Sequence, residues 1–401
     1  MATAYLVKYE QGSSSALNIG KIVVGSTFPV TSAAGMYAVA ADWSGNLFIA
    51  DITTNAIYKV TESGKIGLFA GKPNNDGFVN GVGTAARFNQ PKGIACDKSG
   101  NVYVADTGNN RVRKIDMNGK VTTIAGGFSS PADVAVAPNG DIIVADTGNH
   151  KIYRVKSGGQ TLLVAGSTVG NVAGDTGGTK IKGSAAKFSS PNSVTVDNSG
   201  NIYVSDSGNY QIKVIHPDGW VKVFAGTGAS GNVNGKASVA QFSNLLRVKA
   251  DRSGNLFVVD AKTTYNRIKL VDQNGNVSTF ANNAKNENCW GLTVTPADKV
   301  FAVVGAGTAG YESSSSSSSD STNSVSSKSS VSSEKSSNSS QSSVSSVSSR
   351  SSMTPSSQSS DSSLSSEKSS QSSKSSASSL SSEKSSQSSQ SSSSQSPGPR
   401  P

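Results

Sequence analysis

The chain has few of the side chains that build metal centres, with two cysteines and two histidines among 401 residues. Zinc and copper sites usually draw on several His or Cys ligands. The spacing of Cys96 and Cys289 matches no metal or redox motif. The composition therefore argues against a catalytic or structural transition-metal site.

Long apolar runs are also missing. No stretch approaches the roughly 18 apolar residues that a membrane-spanning helix needs. The first residues include Lys8 and Glu10 and no apolar core, which predicts no secretory signal. We therefore predict no insertion into a membrane, and the location stays open among a virion, a cell surface and the cytoplasm.

What the chain does contain divides it into two parts. Residues 1–310 are rich in Gly, Val, Ile and Ala, whereas residues 311–401 are dominated by serine and have almost no aromatic side chains. The second part has a three-residue x-Ser-Ser period, and SSLSSEKSSQSS occurs at both 362–373 and 378–389. Such a segment cannot bury enough apolar surface to offset its ordering entropy. We predict a folded domain, 1–310, followed by a disordered Ser-rich low-complexity tail, 311–401.

Most of the net charge of +10 lies in the first part. A basic excess favours solubility and weak attraction to polyanions, but it does not identify a partner. The charge alone therefore leaves protein, glycan and nucleic acid open as ligands.

The first part is built from repeats. One unit, such as GIACDKSGNVYVADTGNNRVRKIDMNGKVTTIAG, recurs at 39–71, 93–126, 133–166, 193–226 and 248–282. Each unit parses into four short strands, A to D, with alternating apolar residues bounded by Gly, Asn, Asp and Ser. Asp or Asn side chains can cap the intervening turns, while glycine supplies a positive φ. Four-stranded units at this spacing predict a β-propeller with one blade per unit.

The termini supply one more blade. After the fifth unit, 291–295 and 299–305 resemble strands A and B, and the opening segments 4–10 and 20–26 fit strands C and D. Closing a ring in this way leaves no unpaired sheet edge. We therefore predict an all-β fold, a six-bladed β-propeller closed by N- and C-terminal strands in one blade. Cys96 and Cys289 would then lie in blades separated by a third blade, which predicts free thiols.

The turn sequences resemble the NHL repeat, whose family forms six-bladed propellers and is named after an Asn-His-Leu motif. Asn149 and His150 match the first two letters, and Lys151 stands where leucine is expected. Two other units read Asn-Asn-Arg at 109–111 and Asn-Tyr-Gln at 209–211, and the first and fifth units lack the motif. The resemblance covers nearly all of 1–310 and implies the fold. The family includes RNA-binding, protein-binding, sensory and lyase members, so it leaves the function open.

A binding face is predicted where the connections are longest. Strand direction alternates within a blade, so the D-to-A connections and B-to-C turns emerge on one side. These connections are long at 72–91, 167–191 and 227–246 but short at 127–131. Long loops on a rigid scaffold are where binding usually occurs. The candidate ligand-binding residues are Arg87, Lys92, Arg111, His150, Lys180, Lys182, Lys187, Lys236 and Arg247.

Other recurrent residues are typical of structure. A phenylalanine repeats in register before strand A, which predicts packing between blades, and an aspartate repeats at the end of strand B, which predicts a turn cap. The phenylalanines are Phe88, Phe188 and Phe242, and the aspartates are Asp51, Asp106, Asp146, Asp206 and Asp260.

Segments that resemble catalytic or cofactor-binding motifs lack the features that those motifs require. The glycines of 301–310 imitate a dinucleotide fingerprint, but serines follow where that motif needs a helix. No Asp/Asn/Glu set stands out from the repeated turns as a Ca²⁺ site. His150 is typical of a turn residue rather than a general base. We predict no catalytic residue, no metal and no cofactor.

The leading hypothesis is a non-enzymatic binding or scaffold propeller whose loop face recognises a protein or a glycan. The Ser-rich tail would be a spacer arm, as in a phage or cell-surface structural protein. One alternative is an RNA-binding NHL-type propeller, and another is a lyase- or lactonase-like propeller enzyme.

Overall fold

The computed structural model describes residues 4–9, 19–23, 35–171, 181–262, 265–282 and 287–306. Within these ranges the chain forms strands β1 to β26, which assemble into six antiparallel sheets. No helix among the described residues is long and apolar enough to cross a membrane. The predicted tail, 311–401, lies outside these ranges.

Five sheets each contain one sequence repeat. Sheet 1 consists of β3 (Met36–Ala41), β4 (Leu47–Asp51), β5 (Ala56–Val60) and β6 (Ile66–Ala70). Sheet 2 consists of β7 (Gly81–Val82), β8 (Pro91–Cys96), β9 (Val102–Asp106), β10 (Arg111–Ile115) and β11 (Lys120–Gly126). Sheet 3 consists of β12 (Pro131–Val136), β13 (Ile142–Asp146), β14 (Lys151–Val155) and β15 (Thr161–Ala165).

The next two sheets follow the same plan. Sheet 4 consists of β16 (Ile181–Lys182), β17 (Pro191–Val196), β18 (Ile202–Asp206), β19 (Gln211–Ile215) and β20 (Trp220–Ala225). Sheet 5 consists of β21 (Leu245–Ala250), β22 (Leu256–Lys262), β23 (Tyr265–Val271) and β24 (Val277–Asn282). Short 3-10 turns occur at Gly83–Ala85, Thr107–Asn109, Thr147–Asn149, Gly183–Ala185 and Ser207–Asn209.

The terminal sheet combines the two ends of the described chain. Its strand order is β2 (Ile19–Val23), β1 (Ala4–Tyr9), β26 (Val300–Ala306) and β25 (Glu287–Val294). Strand β1 pairs with β26 antiparallel over its whole length. The pairing predicted between the opening strands and the last strands is therefore present.

The strands that occupy position A pack side by side around a central channel. Their order is β25, β3, β8, β12, β17 and β21, and β21 packs against β25 again. The prediction of an all-β propeller is confirmed. Neighbouring strands at position A pack closely, because a Cβ atom placed on Gly93 would lie 2.3 Å from the Asp133 Cα of the next sheet.

The turns between strands A and B follow the predicted chemistry. The Asp97 Oδ1 accepts N–H groups from Ser99 (2.9 Å) and Asn101 (2.8 Å), and Gly100 takes a φ of +81°. An Asp side chain that accepts the N–H groups two and four residues later fixes a tight turn without contacts from neighbouring sheets. Equivalent Asp-capped turns begin at Asp42, Asp197 and Asp251.

The recurrent phenylalanines pack between neighbouring sheets, as predicted. Phe88, Phe188 and Phe242 are all fully buried, in clusters that join sheets 1 and 2, 3 and 4, and 4 and 5. Phe128 does the same between sheets 2 and 3, although its connection is short. A buried aromatic ring at this position therefore fills each of these four contacts between sheets.

Two short strands, β7 and β16, were not predicted. Sheets 2 and 4 have an added fifth strand at the outer edge, β7 and β16, which pair with β11 and β20. Both lie in long D-to-A connections and cover an edge that would otherwise be exposed. Cys96 and Cys289 do not form a disulfide, in agreement with the prediction, and burial raises the pKa of Cys96.

Candidate functional site

The two ends of the sheets carry different connections. We call the end with the B-to-C turns and the ends of the D-to-A connections the loop face, and the end with the A-to-B and C-to-D turns the turn face. The long D-to-A connections do not stay on the loop face. The N–H of Gly83 donates to Gly119 O (3.0 Å) and that of Gly183 to Gly219 O (2.8 Å), and both acceptors lie in C-to-D turns.

Buried aspartates at the ends of strand B bind the loops of the loop face through hydrogen bonds. The Asp106 Oδ1 accepts the N–H of Asn89 (2.8 Å), which ends a D-to-A connection. Its Oδ2 accepts from Asn109 Nδ2 (2.8 Å) in the B-to-C turn. Asp146, Asp206 and Asp260 accept the equivalent loop N–H at 2.7 Å. The structural role predicted for these aspartates is confirmed, and it extends to the D-to-A connection.

Three of these aspartates also pair with a buried cation from strand C. The pairs are Arg113 with Asp106 (2.7 Å), Lys213 with Asp206 (2.6 Å) and Lys269 with Asp260 (3.5 Å). The same cations donate to the loop carbonyls of Arg87, Lys187 and Gln241. In sheets 1 and 3 the equivalent positions hold Tyr58 and Tyr153. Sequence reasoning missed the cations, although a charged residue at an otherwise apolar strand position was a visible signal.

The protonation of this network depends on burial. Burial raises the pKa of Asp206 and lowers the pKa of Lys213, and their mutual attraction opposes both shifts. Burial also raises the pKa of Asp51, whose Oδ1 accepts the N–H groups of Thr53 and Thr54. The Asp51 Oδ2 is buried without a hydrogen-bond partner. The same position therefore carries a compensated charge in sheet 4 and an uncompensated one in sheet 1.

The predicted ligand-binding arginines near the loop face differ in what their side chains contact. The Arg87 Nη1 donates to the carbonyls of Thr84 and Ala86, both at 2.7 Å, so this side chain is held by its own loop. The guanidinium carbon of Arg111 lies 4.5 Å from the ring centre of Phe78, which is 47% exposed. Arg111 and Phe78 therefore present a joint surface to solvent.

His150 connects neighbouring sheets. It has a φ of 56°, and its Nδ1 accepts the N–H of Ser190 (3.0 Å) at the end of the next D-to-A connection. The Asn110 Oδ1 accepts the N–H of Ser130 (2.8 Å) in the same way. His150 therefore acts as a turn residue that holds two sheets together, and its Nδ1 is occupied.

The remaining candidates lie in separate places. Lys182 and Lys236 are exposed at the outer edge beside C-to-D turns, next to residues bonded to Gly219 and Val277. Arg247 is 1% exposed inside the channel, where its guanidinium carbon lies 4.4 Å from the Tyr37 ring centre. Lys187 is half-buried near the loop face, Lys92 Nζ lies 5.6 Å from the Tyr37 ring centre, and Lys180 falls outside the described residues. The structure thus brings Lys92 and Arg247 together around Tyr37 but separates both from the exposed edge lysines.

A polar cluster crosses the middle of the channel. The Asp133 Oδ2 accepts from Ser193 Oγ (2.5 Å) and lies 3.3 Å from Lys249 Nζ. The Ser193 Oγ in turn accepts the N–H of Val248 (3.2 Å). Three neighbouring strand A segments are therefore connected by side-chain bonds, and the carboxylate is fully buried.

Open cavities lie on the turn face, opposite the predicted face. One, of about 240 Å³, is the channel mouth, and Lys249 and Arg252 are among its lining residues. A second, of about 830 Å³, lies between the terminal sheet and sheet 1, with Glu62 and Lys299 in its lining. Trp43 lines both cavities. Within the described residues, no group of three or more His, Cys, Asp or Glu is arranged to hold a metal ion.

Known proteins match parts of this chain. It is 36% identical to mouse teneurin-3 over 95 residues, which cover 20% of this chain and 4% of teneurin-3. It is 41% identical to human NHL repeat-containing protein 2 over 81 residues, covering 20% and 11%. This chain therefore spans a small part of the length of these curated relatives. A streptogramin B lyase structure superposes with a TM-score of 0.48 at 12% identity, covering 76% of this chain and 97% of the lyase.

The family match falls on the best-formed repeats. The NHL repeat matches residues 88–115, 128–152 and 188–215. Each matched segment begins at the phenylalanine that packs between sheets and continues into strand C. These are also the units whose B-to-C turns contain the recurrent Gly-Asn pair at 108–109, 148–149 and 208–209. The chain therefore contains three NHL repeats within an all-β propeller fold.

Proposed function

We propose that the six sheets form one closed, six-bladed propeller that acts as a non-enzymatic binding scaffold for a protein partner. In this proposal residues 1–310 are the propeller domain and residues 311–401 a Ser-rich spacer arm that separates it from a virion or cell surface. The partner contacts the D-to-A connection of sheet 2 on the loop face. The loop around Phe78 is the centre of that contact.

The observation that carries this proposal is the Phe78–Arg111 pair. Phe78 is 47% exposed, its neighbour Val79 is 48% exposed, and the Arg111 guanidinium stacks at 4.5 Å from the ring. Aromatic residues and arginine are enriched where protein interfaces gain most of their energy. A partner with an apolar pocket beside acidic groups would match this surface.

The loop is held in place before any partner arrives. The Arg113 Nη2 donates to Val79 O (2.9 Å) and its Nη1 to Arg87 O (3.1 Å), and Nη1 also donates to Asp106 Oδ2 (2.7 Å). A rigid loop loses little entropy on binding. Burial raises the pKa of Asp106, and its fully buried carboxyl accepts the N–H of Asn89 and the side-chain amide of Asn109, which supports a bracing role over a catalytic one.

Affinity capture with matched variants tests the proposal. The full chain is immobilised beside Phe78→Ala and Leu163→Ala, the control, because Leu163 is 48% exposed on the outer strand of sheet 3. We expect nuclease-treated extracts to yield a protein retained by the wild type and by the Leu163 variant but not by the Phe78 variant. Equal retention by all three would place the contact elsewhere. Loss of the retained protein on nuclease treatment would favour the RNA-binding alternative, whose affinity falls steeply with salt.

A further inference from the structure

The Trp43 side chain projects into solvent from a turn that hydrogen bonds hold in place. Trp43 follows Asp42, whose Oδ1 accepts the N–H groups of Ser44 (2.9 Å) and Asn46 (2.8 Å). The indole is 53% exposed, and it is the one aromatic side chain that the described residues expose on the turn face. Exposing a large ring has a cost in apolar hydration, and this ring borders two cavities.

The same turn position in two other sheets supplies cations to this ring. The Lys98 Nζ of sheet 2 lies 5.6 Å from the Trp43 ring centre, and the Arg252 guanidinium carbon of sheet 5 lies 5.3 Å from it. Both cations are exposed. The Arg252 backbone is fixed on both sides, since its N–H donates to Asp298 Oδ1 (3.1 Å) and its carbonyl accepts from Asn198 Nδ2 (3.2 Å). We call Trp43, Lys98 and Arg252 the turn-face platform.

The platform stands between the channel mouth and the cavity at the seam of the terminal sheet. The larger cavity, about 830 Å³, is also lined by Ser44, Thr61 and Glu62. Glu62 is exposed, whereas Asp42 is buried and bound within its turn. The cavity therefore offers an apolar ring, cations, a carboxylate acceptor and the Ser44 hydroxyl group within one concave region.

We propose that the turn-face platform binds an acidic glycan, with a hexuronic acid ring stacked on Trp43 and its carboxylate bound by Lys98 and Arg252. A pyranose has an apolar C–H face that can pack on an indole. Its hydroxyl groups need donors and acceptors together, which Ser44 and Glu62 provide. Sites of this kind combine an apolar wall with a few placed polar groups.

The same residues fit a nucleic acid less well. Single-stranded nucleic acid is bound along a basic groove with successive aromatic rings. Here Trp43 is the one exposed ring that the described residues place on the turn face, so the row of stacked bases that such a groove binds has no second platform. The site is on the opposite face from Phe78, so it can be correct or wrong independently of the proposed protein contact.

Titration with defined oligomers tests the proposal on the full chain. The probes are tri-galacturonic acid, a neutral hexose trimer and a ten-nucleotide single-stranded RNA, with binding followed by calorimetry and tryptophan fluorescence. We expect the uronate trimer to bind and the neutral trimer to bind at least about tenfold more weakly, which corresponds to about 1.4 kcal/mol. The fluorescence change should disappear in Trp43→Phe if Trp43 reports the contact.

Variants on the same face separate the platform from general charge. Trp43→Ala and Arg252→Gln should each weaken uronate binding about tenfold or more, as expected for loss of a stacking ring or a charge-assisted contact. Lys156→Gln removes an exposed cation from the C-to-D turn of sheet 3 on the same face and should leave binding unchanged. The side chains of Trp43 and Arg252 are exposed, and an unchanged melting temperature will show that the variants fold. Absence of uronate binding, equal loss in Lys156→Gln, or tighter binding of the RNA would each overturn the proposal.

Discussion

The Arg113 guanidinium lies 2.7 Å from the Asp106 carboxylate, and both side chains are fully buried. The pair is stabilised by further bonds, because Arg113 also donates to Val79 O, Arg87 O and Asn80 Oδ1. A buried ion pair of this kind contributes little net stability compared with apolar residues, but losing one partner is costly. Its geometric consequence is that the loop of sheet 2 has a fixed position.

Arg113→Met should therefore destabilise the propeller strongly. The substitution leaves Asp106 as a buried carboxylate without its cation, which should lower the free energy of unfolding by about 3–5 kcal/mol. Urea unfolding at pH 7 measures the change. Lys114→Met, the adjacent and half-buried cation of the same strand, is the control and should change little. Adding Asp106→Asn to Arg113→Met should recover part of the loss, and no recovery would show that the loss comes from the carbonyl contacts instead.

Removing the charge of Asp51 should stabilise the propeller, whereas removing the charge of Arg113 destabilises it. Burial raises its pKa in the folded protein above the value of about 3.9 in the unfolded chain. The folded protein therefore binds this proton more tightly, and ionised Asp51 lowers stability at every pH above its folded pKa. Asp51→Asn keeps an oxygen for the Thr53 and Thr54 N–H groups and removes the charge. It should stabilise the protein at pH 7, because the uncharged amide nitrogen that replaces Oδ2 costs less to bury than an ionised carboxylate.

The pH profile makes this prediction specific. The difference between Asp51→Asn and wild type should be constant above the folded pKa of Asp51 and shrink towards zero as the pH falls to about 4. Melting temperatures measured from pH 4 to pH 8 give this profile. Asp106→Asn is the matched comparison, because it leaves Arg113 unpaired and should destabilise at pH 7. A destabilised Asp51→Asn would mean that the Asp51 charge has a compensating partner.

His150 should be replaceable by asparagine. Asn110 occupies the same turn position with the same left-handed backbone, and its Oδ1 accepts the N–H of Ser130 as His150 Nδ1 accepts that of Ser190. His150→Asn should leave the stability within about 0.5 kcal/mol. His150→Ala should cost about 1–3 kcal/mol, because it loses the hydrogen bond and places alanine at a φ of 56°. If both variants were equally unstable, the imidazole ring rather than its acceptor would hold the sheets.

Most strands of the fold could be predicted from the sequence repeat, and particular residues show why. Val102–Asp106 and its counterparts could be assigned because Asp, Gly and Asn end each strand with turn chemistry that acts over a few residues. The phenylalanine register predicted the packing of Phe88 because a repeated position must fill a repeated space. In contrast, β7 and β16 are two residues long and contain no apolar alternation, so they depend on the free edges of β11 and β20.

The candidate functional residues were harder to predict from the sequence, because their grouping depends on how the sheets are placed in three dimensions. Arg247 looks like a loop residue from its position before strand A, but the channel buries it against Tyr37. Trp43, Lys98 and Arg252 are far apart in sequence and meet only because the sheets surround one channel mouth. Their common register, one residue after the start of each A-to-B turn, was nevertheless present in the repeat alignment.

The pairing of the two ends gives a last prediction. Leu6 in β1 is 2% exposed and packs with Val39 of sheet 1 and Val303 of β26. Leu6→Ala should lower the free energy of unfolding of the whole propeller by about 2–5 kcal/mol. Leu68→Ala, at a leucine that is 38% exposed on the outer strand of sheet 1, is the control and should have little effect.

Removing both opening strands should have a larger effect than the point variant. Deleting residues 1–28 leaves the edge of β26 unpaired, so amide hydrogen exchange should rise in β26 and in β3, which packs beside β25. Deleting residues 311–401 should leave the melting temperature unchanged, because that segment is predicted to lack a core. If the first deletion changed exchange only near its own end, the opening strands would be an appendage and the ring would be stable without them.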